Sequence, residues 1–311
     1  MKRNTATQLS ISWLLVALIA HTCWGISPVL ARYLQNVVGL PSMSFLTVVG
    51  SPLLLTMLFF MLPRHGFGFI NSSTLWTLGV LHVLRVASNL LAARFTLAIN
   101  VQLFGLMTPF IVVGLNWLLL RETVPPYTKR AILATFVGAI LMLASDISRT
   151  SINFNLELND RIGIGLAIGT GVLFALHMMV VRRGAQNNLH PSQMLVFQGS
   201  MLTPPALVTS FLLKEDWAPW LRLPAIDILA VLLFIVLVPI GANMSNITSI
   251  ARIGAPAVSS LMPWRLVVTL AIGWLVLNEK LVNSWQVIGA ITVFLAVGWY
   301  LLMQWKQRNN T

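Results

Sequence analysis

The chain has 311 residues, 57% of them hydrophobic and only 9% charged, and its mean hydropathy is +0.83; an ordinary soluble domain carries about 25% charged residues. That composition excludes a soluble globular domain and defines a polytopic membrane protein. The net charge of +12 does not indicate a nucleic-acid partner, because the basic residues are scattered singly between apolar runs. A lone cysteine, Cys23, excludes an internal disulfide or a multi-cysteine metal site.

A bilayer crossing needs about 20 apolar residues, and ten runs of suitable length follow one another. They lie near residues 9–34, 42–62, 74–98, 101–120 and 128–144, then near 162–182, 192–213, 226–251, 255–277 and 283–305. The first run is long for a signal-peptide core and lacks a small-residue cleavage site, so it is read as a retained helix. Ser145–Arg161, between the two sets, is the longest polar stretch. One set of alternating loops and termini holds Lys2, Arg3, Arg64, Arg121, Lys129, Arg130, Arg182, Arg183, Arg252, Lys306 and Arg308; the other holds only Arg149, Arg161, Lys214, Arg222 and Lys280. Positive charge collects on the cytoplasmic side, so both termini are expected there, in a plasma membrane or, for a Gram-negative bacterium, the inner membrane.

The third run combines the length of a membrane span with His82, Arg85, Asn89 and Arg94. A charge at mid-bilayer depth costs roughly 2.5–3.5 kcal/mol on insertion scales and normally faces a partner or a watery cavity. At 1.5 Å per residue, Arg85 is roughly 16 Å in from Thr74, and Arg265 in the ninth run is about 15 Å in from Ala255, both near the midplane of a 30 Å core. Arg94, about 30 Å along, is placed at the outer interface, where it snorkels to water. All eight acidic residues fall at segment ends or in loops, so no membrane acid is available to neutralise Arg85 or Arg265.

The halves repeat each other. Arg32, Pro41 and Ser42 recur 150 residues on as Arg182, Pro191 and Ser192, while Leu106-Met107 and Val112-Val113 recur 155 on as Leu261-Met262 and Val267-Val268. Trp117-Leu118-Leu119-Leu120-Arg121-Glu122 is matched by Trp274-Leu275-Val276-Leu277-Asn278-Glu279. An odd number of spans per copy inserts the copies upside down, which is a transporter signature. The expected fold is therefore all-α: ten transmembrane helices as two inverted five-helix repeats, residues 1–147 and 162–311, joined by an external linker, 148–161.

Ten segments as two inverted fives, with Trp24-Gly25 near the end of the first, Pro109 and Pro263 in the fourth and ninth, and Glu122 and Glu279 closing those two, resemble the EamA family of the drug/metabolite transporter superfamily. The likeness covers essentially the whole chain and specifies architecture better than substrate. It implies a central cavity lined mainly by segments one, three, four, six, eight and nine, with five and ten peripheral. The arginines of segments three and nine depart from the family average.

His82, Arg85, Asn89, Ala92 and Thr96 recur at three- or four-residue steps and form one polar stripe on a helix. The planar fork of an arginine grips a carboxylate or phosphate bidentately, and two forks at one level can hold an organic anion. Trp24 and His21 share a face of segment one, His177 occupies segment six, and Asn243 and Asn246 in segment eight offer hydrogen bonds. The substrate-binding set is thus Arg85, Arg265, His82, Asn89, Trp24, His21, His177, Asn243 and Asn246. The bland alternatives are arginines capping carbonyls freed by Pro109 or Pro263, histidines that only pack, and asparagines serving as interhelical glue worth about 0.6 kcal/mol each.

There is no phosphate loop, no histidine paired with an acid at metal-ligand spacing and no nucleophile with a base. No cofactor, metal or enzymatic activity is expected. The leading reading is a secondary transporter, exporting a small organic anion or a carboxylate-bearing, amino-acid-like zwitterion by alternating access at a midplane site. Its partners are that substrate and the lipid bilayer, and a monomer suffices. A cation/proton antiporter lacks its buried carboxylate. A non-transporting sensor or scaffold, or a membrane protein binding lipid phosphate, is the alternative outside transport.

Overall fold

The computed structural model describes residues 11–66, 71–72, the helices below and their short connections, leaving out 1–10, 67–70, 96–104, 106–107, 121–123, 125, 148–157, 278–283 and 310–311. All regular structure among the described residues is helical. The helices are α1 (Ile11–Arg32), α2 (Ser42–Thr56), α3 (Ser73–Phe95), α4 (Thr108–Leu115), α5 (Thr128–Ile147), α6 (Leu158–Gln186), α7 (Pro191–Ser200), α8 (Thr203–Leu212), α9 (Ala225–Ile235), α10 (Asn243–Ile253), α11 (Ala255–Ser259), α12 (Trp264–Leu277) and α13 (Ser284–Asn309). Seven continuous described stretches are long and apolar enough to cross a bilayer. Large apolar side chains stand bare on their outer faces, Phe59, Trp117, Phe211 and Leu275 each being at least two-thirds exposed. A water-soluble monomer does not tolerate such a belt, and the chain is a multi-pass membrane protein.

Hydrophobic runs foresee where the helices lie but not how they are interrupted. Wide π-helical turns at Tyr33–Val37, Met57–Met61, Asn116–Leu120 and Val236–Ala242 extend α1, α2, α4 and α9. The last contains Pro239, whose missing N–H prevents an ordinary α-helical ladder. The expected seventh run splits into α7 and α8 ahead of Pro204-Pro205, and the ninth into α11 and α12 across residues 260–263, ending at Pro263.

Packing is paired. α3 lies along α6, while the α9–α10 rod lies along α1. α4 packs on α6, and α12 on α1; α2 meets α7 and α8, and α5 meets α13. Replacing each first-half helix by its second-half counterpart maps this set of partners onto itself. The crossing points use small residues, as membrane helices do: a Cβ on Gly50 would strike Thr203 and one on Gly199 would strike Leu53, while one on Gly138 would press on the Gly289 carbonyl.

Two cores result. The larger joins Leu14, Leu75, Met178, Met194, Ile250, Ala257 and Tyr300, from the halves of the helices nearer the N-terminal end of α1. The smaller joins Leu34, Leu40, Phe45, Val231 and Phe234 at the opposite end. There Glu215 accepts hydrogen bonds from the Met43 and Ser44 amides at 3.0 and 2.7 Å, a carboxylate on the positive end of α2. Tyr33 donates to Asp227 at 2.6 Å.

Candidate substrate-binding site

Between the halves that the larger core leaves unfilled lies a cavity of about 280 Å³. Its wall takes Trp24 and Ser27 from α1, Phe45 from α2, His82, Arg85 and Asn89 from α3, Thr108 from α4, Phe174 from α6, Asn243 from α10 and Arg265 from α12. Among the described residues, none of α5 or α13 is in the lining, whereas α2 and Leu202 between α7 and α8 enter it as well.

Arg265 reaches this wall because the chain breaks just before it. Across 260–263 the backbone bonds tighten to three-residue spacing, with the Leu261 amide donating to Val258 O and the Leu266 amide to Pro263 O. Three side-chain bonds then lace α12 to α1: Arg265 Nε donates to His21 Nδ1 at 2.9 Å, Trp264 Nε1 to Thr22 Oγ1 at 2.9 Å, and Thr269 Oγ1 to the Gly25 carbonyl at 2.7 Å. The helices approach so closely that a Cβ on Gly25 would come within 2.7 Å of Val268 Cβ. His21 Nε2 lies 2.9 Å from the Val258 carbonyl, which can only accept. The proton is therefore assigned to Nε2, and Nδ1 is the acceptor for the arginine. The carbonyl beside the break is taken by a histidine, not by an arginine.

Arg85 stands on α3, and its Nη2 lies 3.2 Å from His82 Nδ1, so this histidine too accepts from an arginine. Arg85 Cζ is 4.8 Å from the centroid of Phe174, and Arg265 Cζ is 4.2 Å from that of Trp24. The two rings meet edge to face, centroids 5.5 Å apart. Because the Phe174 centroid lies 4.8 Å from one guanidinium carbon and 5.3 Å from the other, the two carbons are at most about 10 Å apart. Two unit charges at that distance repel by about 1.7 kcal/mol at an effective dielectric of 20. A cation–π contact returns about 0.5–2 kcal/mol, less than the cost of placing each arginine at this depth.

No carboxylate among the described residues lines the cavity. Glu215 accepts from the Ser44 amide, Asp227 from Tyr33 and Asp216 from the Ala218 amide; the other five acidic side chains lie outside the described residues. Arg85 Nε and Arg265 Nη2 are buried and have no partner among the described residues. Two cations thus share one cavity wall, each keeping a buried N–H without a described partner.

Of the residues singled out in the sequence, Arg85, Arg265, His82, Asn89, Trp24 and Asn243 line the cavity together. His21, His177 and Asn246 are buried outside its lining. His21 fixes Arg265; His177 lies 2.8 Å through Nε2 from Gln198 Oε1, with its ring 5.9 Å from that of His82. Asn246 is fully buried, with neither polar atom partnered among the described residues. Ala92 is buried outside the lining, while Thr96, Glu122 and Glu279 and the side chain of Arg94 lie outside the described residues. Phe174 was not foreseen, although it stands 150 residues after Trp24, the spacing of the repeat.

The family model of the EamA-like transporter family matches the chain twice, over residues 11–144 and 161–302. The chain belongs to the EamA-like transporter family and is a membrane transporter of the drug/metabolite type. No curated protein matches it. A solved structure titled only as the crystal structure of a protein is 14% identical, with a TM-score of 0.67, and the alignment covers 95% of this chain and 98% of that one. At that identity the likeness shows a shared fold.

Proposed function

We propose that this transporter carries a small organic anion, or a zwitterion presenting its carboxylate, by alternating access around a midplane site between two inverted five-helix repeats. The observation that carries the reading is the pair of guanidinium groups on one cavity with no described carboxylate, each keeping a buried N–H without a partner. In a low-dielectric site such charges act far more strongly than in water, and their sign selects the ligand.

The exchange of helix partners between halves, and the glycine contacts where α2 crosses α7–α8 and α5 crosses α13, support ten spans built from residues 1–147 and 162–311. Inverted repeats rock around a central site. The cavity wall uses Ala31 and Gln35 late in the first rod and Phe45 early in α2, while the larger core closes the opposite end. With both termini in the cytoplasm, the cavity would lie toward the external half of the molecule, and the direction proposed for transport across the cell membrane is export.

The test is counterflow into proteoliposomes, loaded and assayed in both directions, against carboxylates, phosphorylated metabolites, amino acids and amines. Exchange of an anion or carboxylate-bearing zwitterion is expected. A substrate that proves to be a cation without any anionic group would overturn the reading.

A further inference from the structure

Asn243 stands where the π-helical stretch Val236–Ala242 hands over to α10. Wide turns of this kind recur at functional sites because they turn backbone and side-chain groups out of the regular ladder. Its Nδ2 donates to the carbonyls of Val238 and Pro239 at 3.1 and 3.2 Å, so both amide hydrogens are used. Turning the amide over would set an oxygen against two carbonyl oxygens, and the assignment of the two ends is therefore fixed by chemistry. Oδ1 is the hydrogen-bonding atom left unused on this residue of the cavity lining. That atom is buried and has no partner among the described residues, and the residue as a whole is only 6% exposed.

The residues that line the cavity thus carry a set of unmet hydrogen-bonding needs. Arg85 Nε, Arg265 Nη2 and Gln35 Nε2 are buried donors without a described partner, and Asn243 Oδ1 is a buried acceptor in the same state. A bare carboxylate answers the donors and leaves the acceptor orphaned, because it carries no hydrogen to give. Building on the anion-site reading above, we propose that Asn243 is a specificity-determining residue that accepts a hydrogen bond from the substrate, so that the transported anion carries a hydroxyl or ammonium group near its acidic group. A site built around a buried hydrogen bond rejects the analogue that lacks the partner group, because the polar atom is then left unpaired.

The experiment measures competition for transport in proteoliposomes with matched three- to five-carbon mono- and dicarboxylates in three forms: unsubstituted, 2-hydroxy and 2-amino. Wild-type protein is expected to take a hydroxyl- or ammonium-bearing form about tenfold or more better than its unsubstituted parent in at least one matched set; which of the two wins identifies the donor. In Asn243→Leu, and in the smaller Asn243→Ala, that preference falls to near parity while inhibition by the unsubstituted parent persists, which also shows that the variants fold. A wild type that competes with anions but shows no such preference, or variants that keep it in full, overturns this role for Asn243 and leaves the anion reading standing. Absence of competition by every carboxylate overturns this role for Asn243, and absence of competition by phosphorylated metabolites as well overturns both.

Discussion

His21 shows how one side chain converts a charge into an instrument. Both ring nitrogens of the buried His21 are engaged, one giving its hydrogen to Val258 while the other receives that of Arg265. Replacing His21 with leucine frees the guanidinium to rotate, and substrate affinity should fall about tenfold, the usual worth of a hydrogen bond to a charged group. If His21 acts through Arg265, the same substitution in an Arg265→Gln background costs little more, and the double-mutant cycle in a transport assay reads a large coupling. Additive losses would contradict that role. Arg85 and Arg265 were legible in the sequence because a charge inside an apolar run stands out. Phe174 was not, since one more aromatic in an apolar helix has no compositional signature, and only its register with Trp24 marks it. Gln198, which receives His177 at 2.8 Å, is equally silent in sequence, because its role depends on which helices meet.

Elements are where reading by hydrophobic runs stops short. Periodicity and length place most of the described helices near the expected runs, from Ile11–Arg32 to Ser284–Asn309, with seven of the described stretches long and apolar enough to cross a bilayer, because each must cover its backbone in an apolar solvent. The breaks are not written in hydropathy: residues 260–263 are apolar enough to continue a helix, and only Pro263 hints at the interruption that brings Arg265 onto the cavity wall. The α1–α12 contact makes the consequence testable. A leucine at Gly25 would place its Cβ 2.7 Å from Val268 Cβ and 2.9 Å from the Arg265 carbonyl, and such overpacking costs about 1–3 kcal/mol. Gly25→Leu should lower the thermal midpoint of the purified protein and weaken transport together. At Gly165 a Cβ would meet nothing within 4 Å, so Gly165→Ala should leave both unchanged or stabilise slightly. Equal effects at the two positions would show that the close crossing does not hold Arg265.

At the scale of the molecule, the symmetry is confined to the frame. Trp24 and Phe174, 150 residues apart, meet edge to face at the centre, and the helix pairs exchange between halves. The cations break the pattern, for Arg85 comes from α3 and Arg265 from α12, which are not counterparts. A symmetric frame suits a rocking motion. Composition, the apolar runs and the repeated motifs were enough to anticipate a membrane transporter of this family, and two arginines in apolar runs were enough to mark the cavity wall. They could not give the depth and shape of the cavity, which depend on helix breaks and on contacts between distant halves. The most direct test is binding of an anion identified by counterflow to purified Arg85→Gln and Arg265→Gln, measured by titration calorimetry beside thermal unfolding. Glutamine keeps hydrogen-bonding capacity and removes the charge and the planar fork, so each variant should unfold near the wild-type temperature and bind about tenfold or more weakly, with lysine at either position restoring only part. Wild-type affinity in both glutamine variants would contradict the site.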